Sequence, residues 1–210
     1  MNPCDNEGEG VFSFRQEPVI FDLPDADISL YDDFFSTSES KMLFQNLLDK
    51  ISWQQYDIRM FGRILNQPRL TAYYGDAQKP YAYSGLQLNP NPWNEDLLFI
   101  KSRIEAAAKV SFTSVLLNYY RDGKDSMGWH ADDEKELGQN PVIGSVSFGE
   151  TRPFQLRHLK RKEIKRVDIP LTNGSFLLMK GTTQHFWQHQ IPKTTRTLGP
   201  RINLTFRVIH

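Results

Sequence analysis

The pattern of apolar and polar residues divides the chain into a helical first half and a strand-rich second half. The segment Ser36-Thr37-Ser38-Glu39 has the sequence of a helix capping box, and apolar residues follow it at helical spacing up to Ile51. A second helix is predicted to begin at Asn91-Pro92, with the asparagine as its cap and the proline in its first turn. We expect both helices to pack on one face of a sheet, and we expect no helix in the second half.

After Ser111 the pattern changes to short apolar runs separated by turn residues such as Asp122-Gly123 and Asn173-Gly174. Many short strands at near-even spacing are typical of a β-sandwich or a β-barrel. The residue pattern therefore predicts an α+β but mainly β fold, a jelly roll or barrel with N-terminal helices. The predicted strands cover residues 56–60, 69–74, 113–119, 142–148, 154–157, 166–169, 175–179, 186–189 and 202–208, and the first two flank a hairpin-like excursion.

Length and composition narrow the class of protein. The 210 residues predict a disordered, acidic tail over residues 1–16 and a single domain over residues 17–210. The single cysteine, Cys4, argues against a disulfide framework and is typical of a reducing compartment. The N-terminus lacks the apolar core of a signal peptide, and no apolar run approaches the roughly 20 residues of a membrane helix. We therefore expect a soluble, intracellular protein that binds no membrane.

The formal net charge is zero, so the overall charge does not favour nucleic acid as a partner. Basic residues nevertheless cluster locally, with six Lys or Arg among the ten residues from Arg157 to Arg166. Most such runs are solvated loops, but beside a base-binding pocket they would lie where a phosphate backbone runs. Further basic residues are Arg59, Arg63 and Arg69 around the hairpin, and Lys193 and Arg196 near the C-terminus.

A candidate metal site begins with the H-x-D sequence of His130 and Asp132. Side chains at positions i and i+2 of an extended segment point to the same face, so both can contact one metal ion. Two histidines and one carboxylate are the ligands of non-haem Fe(II) oxygenases. H-x-D alone is a weak signal, and the second histidine has several candidates. They are His158, His185, His189 and His210, of which His189 suits the role.

The last predicted strand alternates strictly between polar and apolar residues. Arg201, Asn203, Thr205 and Arg207 share one face, and apolar residues occupy the other. The polar face could simply be solvated. It could also line a cavity and offer two guanidinium groups to a carboxylate, which is how a small dicarboxylate would be bound.

Six segments of the chain are characteristic in combination: M-F-G-R-I-L-N-Q-P-R-L-T-A-Y-Y-G-D, Y-A-Y-S-G, N-Y-Y-R-D-G-K-D-S-M-G-W-H-A-D-D-E, S-V-S-F-G, H-F-W-Q-H-Q-I-P and P-R-I-N-L-T-F-R. Together they resemble the AlkB family of 2-oxoglutarate- and iron-dependent dealkylating dioxygenases, from about Tyr56 to the C-terminus. The similarity is greatest to the branch with the second and third human AlkB homologues, which act on DNA. It implies a double-stranded β-helix (a cupin-like jelly roll) with the metal in its mouth, and Fe(II), 2-oxoglutarate and O2 as cofactor and co-substrates.

The resemblance also implies a role for each site residue. It implies that iron is bound by His130, Asp132 and His189. The family's distal histidine is closely followed by a proline, and Pro192 follows His189 more closely than it follows His185. Arg201 would pair with the distal carboxylate of 2-oxoglutarate, assisted by Tyr120. Toward the chelating end of the co-substrate the resemblance places Asn118 and Arg207, and Asn203 completes the site.

A substrate-recognition lid is implied over about residues 54–90. An enzyme that acts on a base within a duplex must flip the base out and hold it between flat walls. Tyr83 would stack on one face of the base and His130 on the other, and Phe61 would be a wedge that fills the space left in the duplex. Other substrate-binding residues implied are Tyr74, Tyr81 and Ser84, with Asp133 and Glu134 at the base edge and Arg161 at the phosphates.

The expected function is oxidative repair of DNA, single- or double-stranded, that carries lesions such as N1-methyladenine, N3-methylcytosine or etheno adducts. The alkyl carbon would leave as formaldehyde while 2-oxoglutarate is decarboxylated. The family's double-strand branch has three basic residues after the distal histidine, whereas this chain has Lys193-Thr194-Thr195-Arg196. The alternatives are a dealkylase of RNA or of a small molecule, and a non-catalytic module that binds damage. We expect a monomer, cytoplasmic in a bacterium and nuclear in a eukaryote.

Overall fold

The computed structural model describes residues 17–60, 63–77, 81–83 and 86–210. The described residues form three α-helices, which are α1 (Thr37–Lys50), α2 (Glu95–Ala108) and α3 (Thr183–Phe186). They also form the strands β1 (Val19–Ile20), β2 (Asp27–Tyr31), β3 (Asp57–Met60), β4 (Arg63–Asn66), β5 (Leu70–Gly75), β6 (Tyr81–Tyr83), β7 (Leu86–Leu88), β8 (Ser114–Tyr120), β9 (Met127–His130), β10 (Ile143–Gly149), β11 (Arg152–His158), β12 (Val167–Leu171), β13 (Ser175–Lys180), β14 (Trp187–Ile191) and β15 (Arg201–Arg207).

The strands form two main sheets and two separate hairpins. The larger sheet has the order β1-β2-β13-β10-β15-β8-β5, and the smaller sheet has the order β12-β11-β14-β9. β3 pairs with β4, and β6 pairs with β7. Strands distant in sequence lie side by side in antiparallel pairs, as in a jelly roll, which confirms the predicted fold class.

Two layers of buried apolar side chains stabilise this arrangement. The first lies between the two sheets, where Leu116 of the larger sheet and Trp187 of the smaller sheet belong to one cluster. The second lies between the outer face of the larger sheet and helices α1 and α2, where Leu47, Ile100 and Phe206 belong to one cluster. Because side chains alternate along a strand, β15 supplies apolar residues to the helix side and polar residues to the space between the sheets.

The predicted capping box is confirmed, but the predicted start of α2 is wrong. Ser36 Oγ accepts a hydrogen bond from the Glu39 backbone N–H at 3.3 Å, and the Glu39 carboxylate accepts one from the Ser36 N–H at 2.8 Å. Helix α2 is capped by Asn94, whose side chain accepts from the Leu97 N–H at 2.9 Å. Asn91 instead forms a bridge to β5, because the chain is still extended there.

Short elements account for the other differences from the predicted pattern. The second half does contain helical turns, α3 and a 3-10 turn at Lys135–Leu137, and each is too short to show helical periodicity in sequence. Strands β1, β2, β6, β7 and β9 were not predicted, since each has only two to five residues, too few for a polar and apolar pattern to stand out. Within the described ranges, no helix is long and apolar enough to cross a bilayer.

Candidate metal and co-substrate site

Three side chains, those of His130, Asp132 and His189, bring their ligand atoms together at one end of the space between the sheets. One ligand atom from each residue lies within 4.8 Å of the others. Among the described residues, this is the only group of three or more His, Cys, Asp or Glu side chains close enough to hold a metal ion. Of the candidate histidines, the fold therefore selects His189.

Strand pairing explains why residues so far apart in sequence meet here. His130 ends β9, and the antiparallel register places it opposite His189 of β14. Their ring centroids are 4.2 Å apart in an edge-to-face arrangement. On β11, Phe154 stacks on the His189 ring with a centroid distance of 4.8 Å, which fixes the plane of that ring.

The backbone orients the first histidine. His130 Nδ1 lies 2.8 Å from the carbonyl oxygen of Gly128. A carbonyl can only accept a hydrogen bond, so Nδ1 carries the proton and Nε2 keeps its lone pair for a metal ion. This is the orienting partner expected for a metal-binding histidine.

The carboxylate of Asp132 is fully buried and is held from two sides. Its Oδ1 accepts a hydrogen bond from Arg207 Nη2 at 2.6 Å, and its own backbone N–H donates to Gln184 Oε1 at 2.9 Å. Burial alone would raise the pKa of Asp132, but the positive charge of Arg207 and its hydrogen bond lower it to about 2. Asp132 is therefore ionised at neutral pH, as a metal ligand must be.

Both histidines are held in the neutral form. Burial lowers the pKa of His130 below its ordinary value. Burial, followed by the neighbouring His130, lowers the pKa of His189 to about 3. Neutral imidazole is the form that binds metal ions, so no proton has to be displaced from either ring near pH 7.

A pocket extends from the three ligands into the space between the sheets. Its empty space is about 450 Å³, the opening to solvent included. The polar face of β15 forms one wall, so it lines a cavity and is not simply solvated. The lining residues are Leu116, Asn118, Tyr120, Met127, His130, Asp132, Ser145, Phe154, Met179, His189, Gln190, Ile191, Arg201, Asn203, Thr205 and Arg207.

A second buried guanidinium group, that of Arg201, lies along β15 from Arg207. Its Nη2 donates to Ser147 Oγ at 2.9 Å, whereas Nε and Nη1 have no hydrogen-bond partner among the described residues. The guanidinium carbon is 5.2 Å from the centroid of the Tyr120 ring. Burial lowers the pKa of Arg201 to about 10, so the group is still charged at neutral pH.

The residues present fit both an iron ion and 2-oxoglutarate. Two imidazole nitrogens and one carboxylate oxygen are the ligand set of a non-haem Fe(II) centre with open coordination positions. Buried N–H groups without acceptors are rare in folded proteins, and Arg201 presents two of them at the pocket wall. A carboxylate supplies the missing acceptors and the opposite charge.

All five residues predicted for the co-substrate site line the pocket: Asn118, Tyr120, Arg201, Asn203 and Arg207. The amide group of Asn203 donates to Ser145 Oγ and to the Val146 carbonyl, each at 2.9 Å. Asn203 thus also ties β15 to β10. The two arginines of β15 have different partners, since Arg207 donates to the Asp132 carboxylate and Arg201 donates to Ser147.

The predicted position of Tyr74 in the pocket is wrong. Tyr74 belongs to the apolar cluster on the helix side of the larger sheet, and its hydroxyl accepts from the Ser52 N–H at 3.2 Å. The preceding residue, Tyr73, points to the space between the sheets. A one-residue difference in register moves a side chain to the opposite face, which explains the error.

The structure places the other predicted substrate residues outside this pocket. Asp133 is exposed and Glu134 is half-buried, and neither lines the pocket. Arg161 lies in the loop after β11 and forms an ion pair with Glu163 at 3.1 Å. Arg69, one of the three basic residues around the hairpin, is buried and donates to Asn118 Oδ1 at 2.8 Å, so it is not available to a phosphate.

Several predictions fall outside the described residues. They concern the tail over residues 1–16, Phe61 at the hairpin tip and Ser84 in the lid. Tyr81 and Tyr83 belong to strand β6, but the positions of their side chains are likewise outside the described part of the chain.

Four residues important to the site were missed by sequence analysis. Gln184 positions Asp132, Phe154 stacks on His189, Ser147 binds Arg201, and Arg69 holds Asn118. Each acts through a contact between segments distant in sequence. Ser147 and Arg69 lie in segments that carry the family resemblance, but neither of them was assigned a role in the site from the sequence.

Comparisons with known proteins agree with this site. A family model described as the 2OG-Fe(II) oxygenase superfamily matches residues 27–207. The chain is 40% identical to bovine "Alpha-ketoglutarate-dependent dioxygenase alkB homolog 3", over 97% of this chain and 72% of that protein. It is 37% identical to human "DNA oxidative demethylase ALKBH2", over 85% of this chain and 72% of that protein.

The fold is also shared with a solved structure. The structure of OsALKBH1 aligns with a TM-score of 0.62 at 16% identity, over 86% of this chain and 96% of the other. Similarity at this level of identity concerns the fold alone, and it agrees with the two-sheet architecture described above.

Proposed function

Because the chain belongs to the AlkB family of Fe(II)- and 2-oxoglutarate-dependent dealkylating dioxygenases, we propose that it repairs alkylated bases in DNA. Its proposed substrates are N1-methyladenine and N3-methylcytosine, and bases with etheno adducts. The observation that supports a catalytic role is the complete site. The ligands His130, Asp132 and His189 share one pocket with Arg201 and Arg207. A module that only bound damaged bases would not need this set of residues.

When bound, Fe(II) with 2-oxoglutarate and O2 supplies the oxidising chemistry that converts an N-methyl carbon into formaldehyde. The protein's own residues bind and orient. Arg207 keeps Asp132 ionised and aimed at the ligand site, and the Gly128 carbonyl fixes the tautomer of His130. Arg201 is placed to bind the far carboxylate of the co-substrate, and the apolar side chains of Leu116, Phe154 and Ile191 limit the access of water.

The proposed substrate carries a positive charge, because methylation at N1 of adenine or N3 of cytosine leaves the base cationic. Asp133 and Glu134 follow the ligand Asp132 directly in sequence and add negative charge beside the metal site. An anionic side chain attracts a cationic base more strongly where water is partly excluded. This supports methylated bases over neutral ones as substrates.

We propose that the hairpins β3–β4 and β6–β7 form the substrate lid over about residues 54–90. They are separate from both main sheets, as expected for a segment that covers a pocket instead of building the core. Phe61, Tyr81, Tyr83 and Ser84 are its proposed contacts with the duplex and the flipped base. Arg161 and the rest of the basic loop, residues 157–166, are proposed to contact phosphates.

The deciding experiment offers the protein a panel of oligonucleotides with one defined lesion each. Single-stranded DNA, duplex DNA and RNA of the same sequence are incubated with Fe(II), 2-oxoglutarate and O2, and the products are read by mass. We expect loss of the methyl mass from N1-methyladenine and N3-methylcytosine in DNA, and no change with Asp132→Ala. Faster reaction on the RNA strands would make the protein an RNA dealkylase, and 2-oxoglutarate turnover without any product would reject both assignments.

We further propose that the enzyme acts as a monomer inside the cell, in the cytoplasm of a bacterium or the nucleus of a eukaryote. All three ligands and both arginines come from one chain, so catalysis requires no partner subunit. Light scattering after size-exclusion chromatography tests the monomer, and a dimer that dissociates only with loss of activity would contradict it.

A further inference from the structure

Arg152, the first residue of β11, is a buried guanidinium group that lies just beyond the pocket. Its side chain is among the largest that are fully buried, with 1% of its surface exposed. It donates only to backbone carbonyls, those of Asp122 at 3.2 Å, Asp125 at 3.0 Å and Pro192 at 2.7 Å. These three hydrogen bonds hold the guanidinium group in place, but none of their acceptors carries a negative charge.

Arg152 and Arg201 share one aromatic neighbour. The guanidinium carbon of Arg152 is 5.7 Å from the centroid of the Tyr120 ring, and that of Arg201 is 5.2 Å from the same centroid. Tyr120 and Arg201 line the pocket, whereas Arg152 lies behind Tyr120. The end of the pocket near Arg201 therefore carries two buried positive charges around one phenol ring.

No carboxylate within salt-bridge distance compensates these charges among the described residues. The closest candidate, Asp125, is already engaged, because its carboxylate pairs with Arg121 through contacts of 2.8 and 2.9 Å. Two buried cations without an anion are costly, and an incoming carboxylate removes part of that cost. Nε of Arg152 likewise has no hydrogen-bond partner in the described part of the chain.

We propose that Arg152 determines co-substrate specificity: its buried charge, acting from behind Tyr120, makes the site select 2-oxo acids with a distal carboxylate. Arg201 is placed to bind that carboxylate directly. Arg152 adds a second attraction that a co-substrate with an uncharged far end cannot use. It is a positioning residue, since it lies outside the pocket wall.

A purely structural role is the competing explanation. Arg152 joins the turn at Asp122 to Asp125 with the segment at Pro192, and this clamp alone could account for its burial. Two substitutions separate charge from clamping. Arg152→Lys keeps the charge but cannot bridge three carbonyls, whereas Arg152→Gln is neutral and can still donate to a carbonyl.

The test measures equilibrium binding without turnover. Protein loaded with Mn(II) is titrated under nitrogen with 2-oxoglutarate and with 2-oxobutanoate, which lacks the distal carboxylate. The readout is the dissociation constant for 2-oxobutanoate divided by that for 2-oxoglutarate, which measures how strongly the site prefers a distal carboxylate. We expect Arg152→Gln to lower this ratio about tenfold, as for one charge acting through an intervening side chain, and Arg152→Lys to keep it close to that of the wild type.

The control is Lys41→Gln, which removes an exposed charge on α1, on the side of the larger sheet opposite the pocket. It should leave the ratio unchanged. If the ratio fell equally in the Lys and Gln variants, Arg152 would only hold the loops together. An unchanged ratio in the Gln variant would also overturn the proposal.

If Arg152→Gln does not fold, the lysine variant provides the test by itself. A buried lysine loses its proton at lower pH than an arginine does, so discrimination should fall as the pH rises from neutral to ~9. The wild type should change less over the same range, because arginine stays charged. Identical pH profiles for the two proteins would refute the role of charge.

Discussion

At the scale of single residues, the carboxylate of Asp132 connects the metal-binding part of the site with the co-substrate part. It lies beside both metal-binding histidines and forms an ion pair with Arg207 at 2.6 Å. A buried carboxylate without a partner would be strongly unfavourable, so Arg207 lets Asp132 remain ionised before any metal binds. The same arginine lines the co-substrate pocket, which couples the geometry of the metal ligands to that of the co-substrate.

The metal assignment predicts which histidines matter. Alanine at His130, Asp132 or His189 should abolish stoichiometric iron binding, because three protein ligands are needed for a stable facial site. Alanine at His185 should leave it intact, since that imidazole is exposed and contacts Asn140 at 2.9 Å. Iron content after anaerobic reconstitution measures this. If His185→Ala lost the metal while His189→Ala kept it, the ligand assignment would be wrong.

The charge of Arg201 predicts a selective defect in co-substrate binding. Arg201→Ala should raise the dissociation constant for 2-oxoglutarate strongly, because loss of one buried charge-assisted contact costs on the order of 2–5 kcal/mol. Iron should still bind, since the hydrogen bond of Arg201 within the described part of the chain is to Ser147 and not to any of the three ligands. Calorimetric titration measures the change. Arg196→Ala, an exposed arginine, is the control, and equal effects of both substitutions would argue against a specific carboxylate contact.

The lowered pKa of His189 predicts how the metal-free protein responds to acid. The pKa is 6.5 in the unfolded chain and about 3 in the folded one, so between these values the unfolded state binds more protons. The free energy of unfolding should therefore decrease as the pH falls below 6.5. Urea denaturation at several pH values measures it. His189→Asn should show a shallower decrease, and an unchanged slope would show that other groups dominate.

At the scale of elements, the sequence predicts the helices and strands whose apolar and polar pattern is visible within the segment itself. β15 was predicted with its two faces correctly assigned, because strict alternation over Arg201–Arg207 is visible in the sequence. The start of α2 was misplaced because Asn91 and Asn94 are both plausible caps, and only the path of the chain away from β5 decides between them. β9 was not predicted because its four residues are too few for a pattern to stand out.

The candidate site shows the same division between local and long-range information. The H-x-D spacing indicated two metal ligands, and the family resemblance implied the third ligand and the co-substrate residues, which line the same pocket in the structure. The residues that position them were not found, because Gly128 acts through a backbone carbonyl and Gln184 through a contact 52 positions away in sequence. Tyr74 was named from the resemblance alone, and the pairing of β5 with β8 places its side chain on the helix side of the larger sheet.

The hairpin formed by β3 and β4 predicts how the enzyme treats a duplex. In the sequence Phe61 lies between β3 and β4, and we propose that it fills the space left by a flipped base. Unstacking a base step costs a few kcal/mol, and an inserted ring offsets part of that cost. Phe61→Ala should therefore slow repair of duplex DNA much more than repair of single strands. Initial rates on matched substrates give the ratio, and equal losses on both would reduce Phe61 to a residue with a packing role.

At the scale of the whole molecule, one of the two apolar cores lies on the opposite side of the larger sheet from the site. The helices and the outer face of the larger sheet form one apolar core, while the space between the sheets contains both a second core and the site. Acidic and basic residues balance, so attraction to a nucleic acid must come from how the charges are distributed. The basic loop after β11 is on the smaller sheet, which also carries the two metal-binding histidines.

This distribution predicts the salt dependence of oligonucleotide binding. Each phosphate neutralised by a basic side chain contributes about 0.7 to the slope of log affinity against log salt for single strands. Arg161→Gln should therefore lower that slope by about 0.7, if the guanidinium exchanges Glu163 for a phosphate on binding. The measurement is a fluorescence titration of a single-stranded oligonucleotide at several salt concentrations, with Mn(II) and 2-oxoglutarate bound under nitrogen.

Lys41→Gln is the control, because Lys41 is exposed on α1, which packs on the face of the larger sheet turned away from the smaller sheet. Equal slopes for both variants and the wild type would mean that phosphates are bound elsewhere, and a similar decrease for both variants would indicate only a general effect of charge.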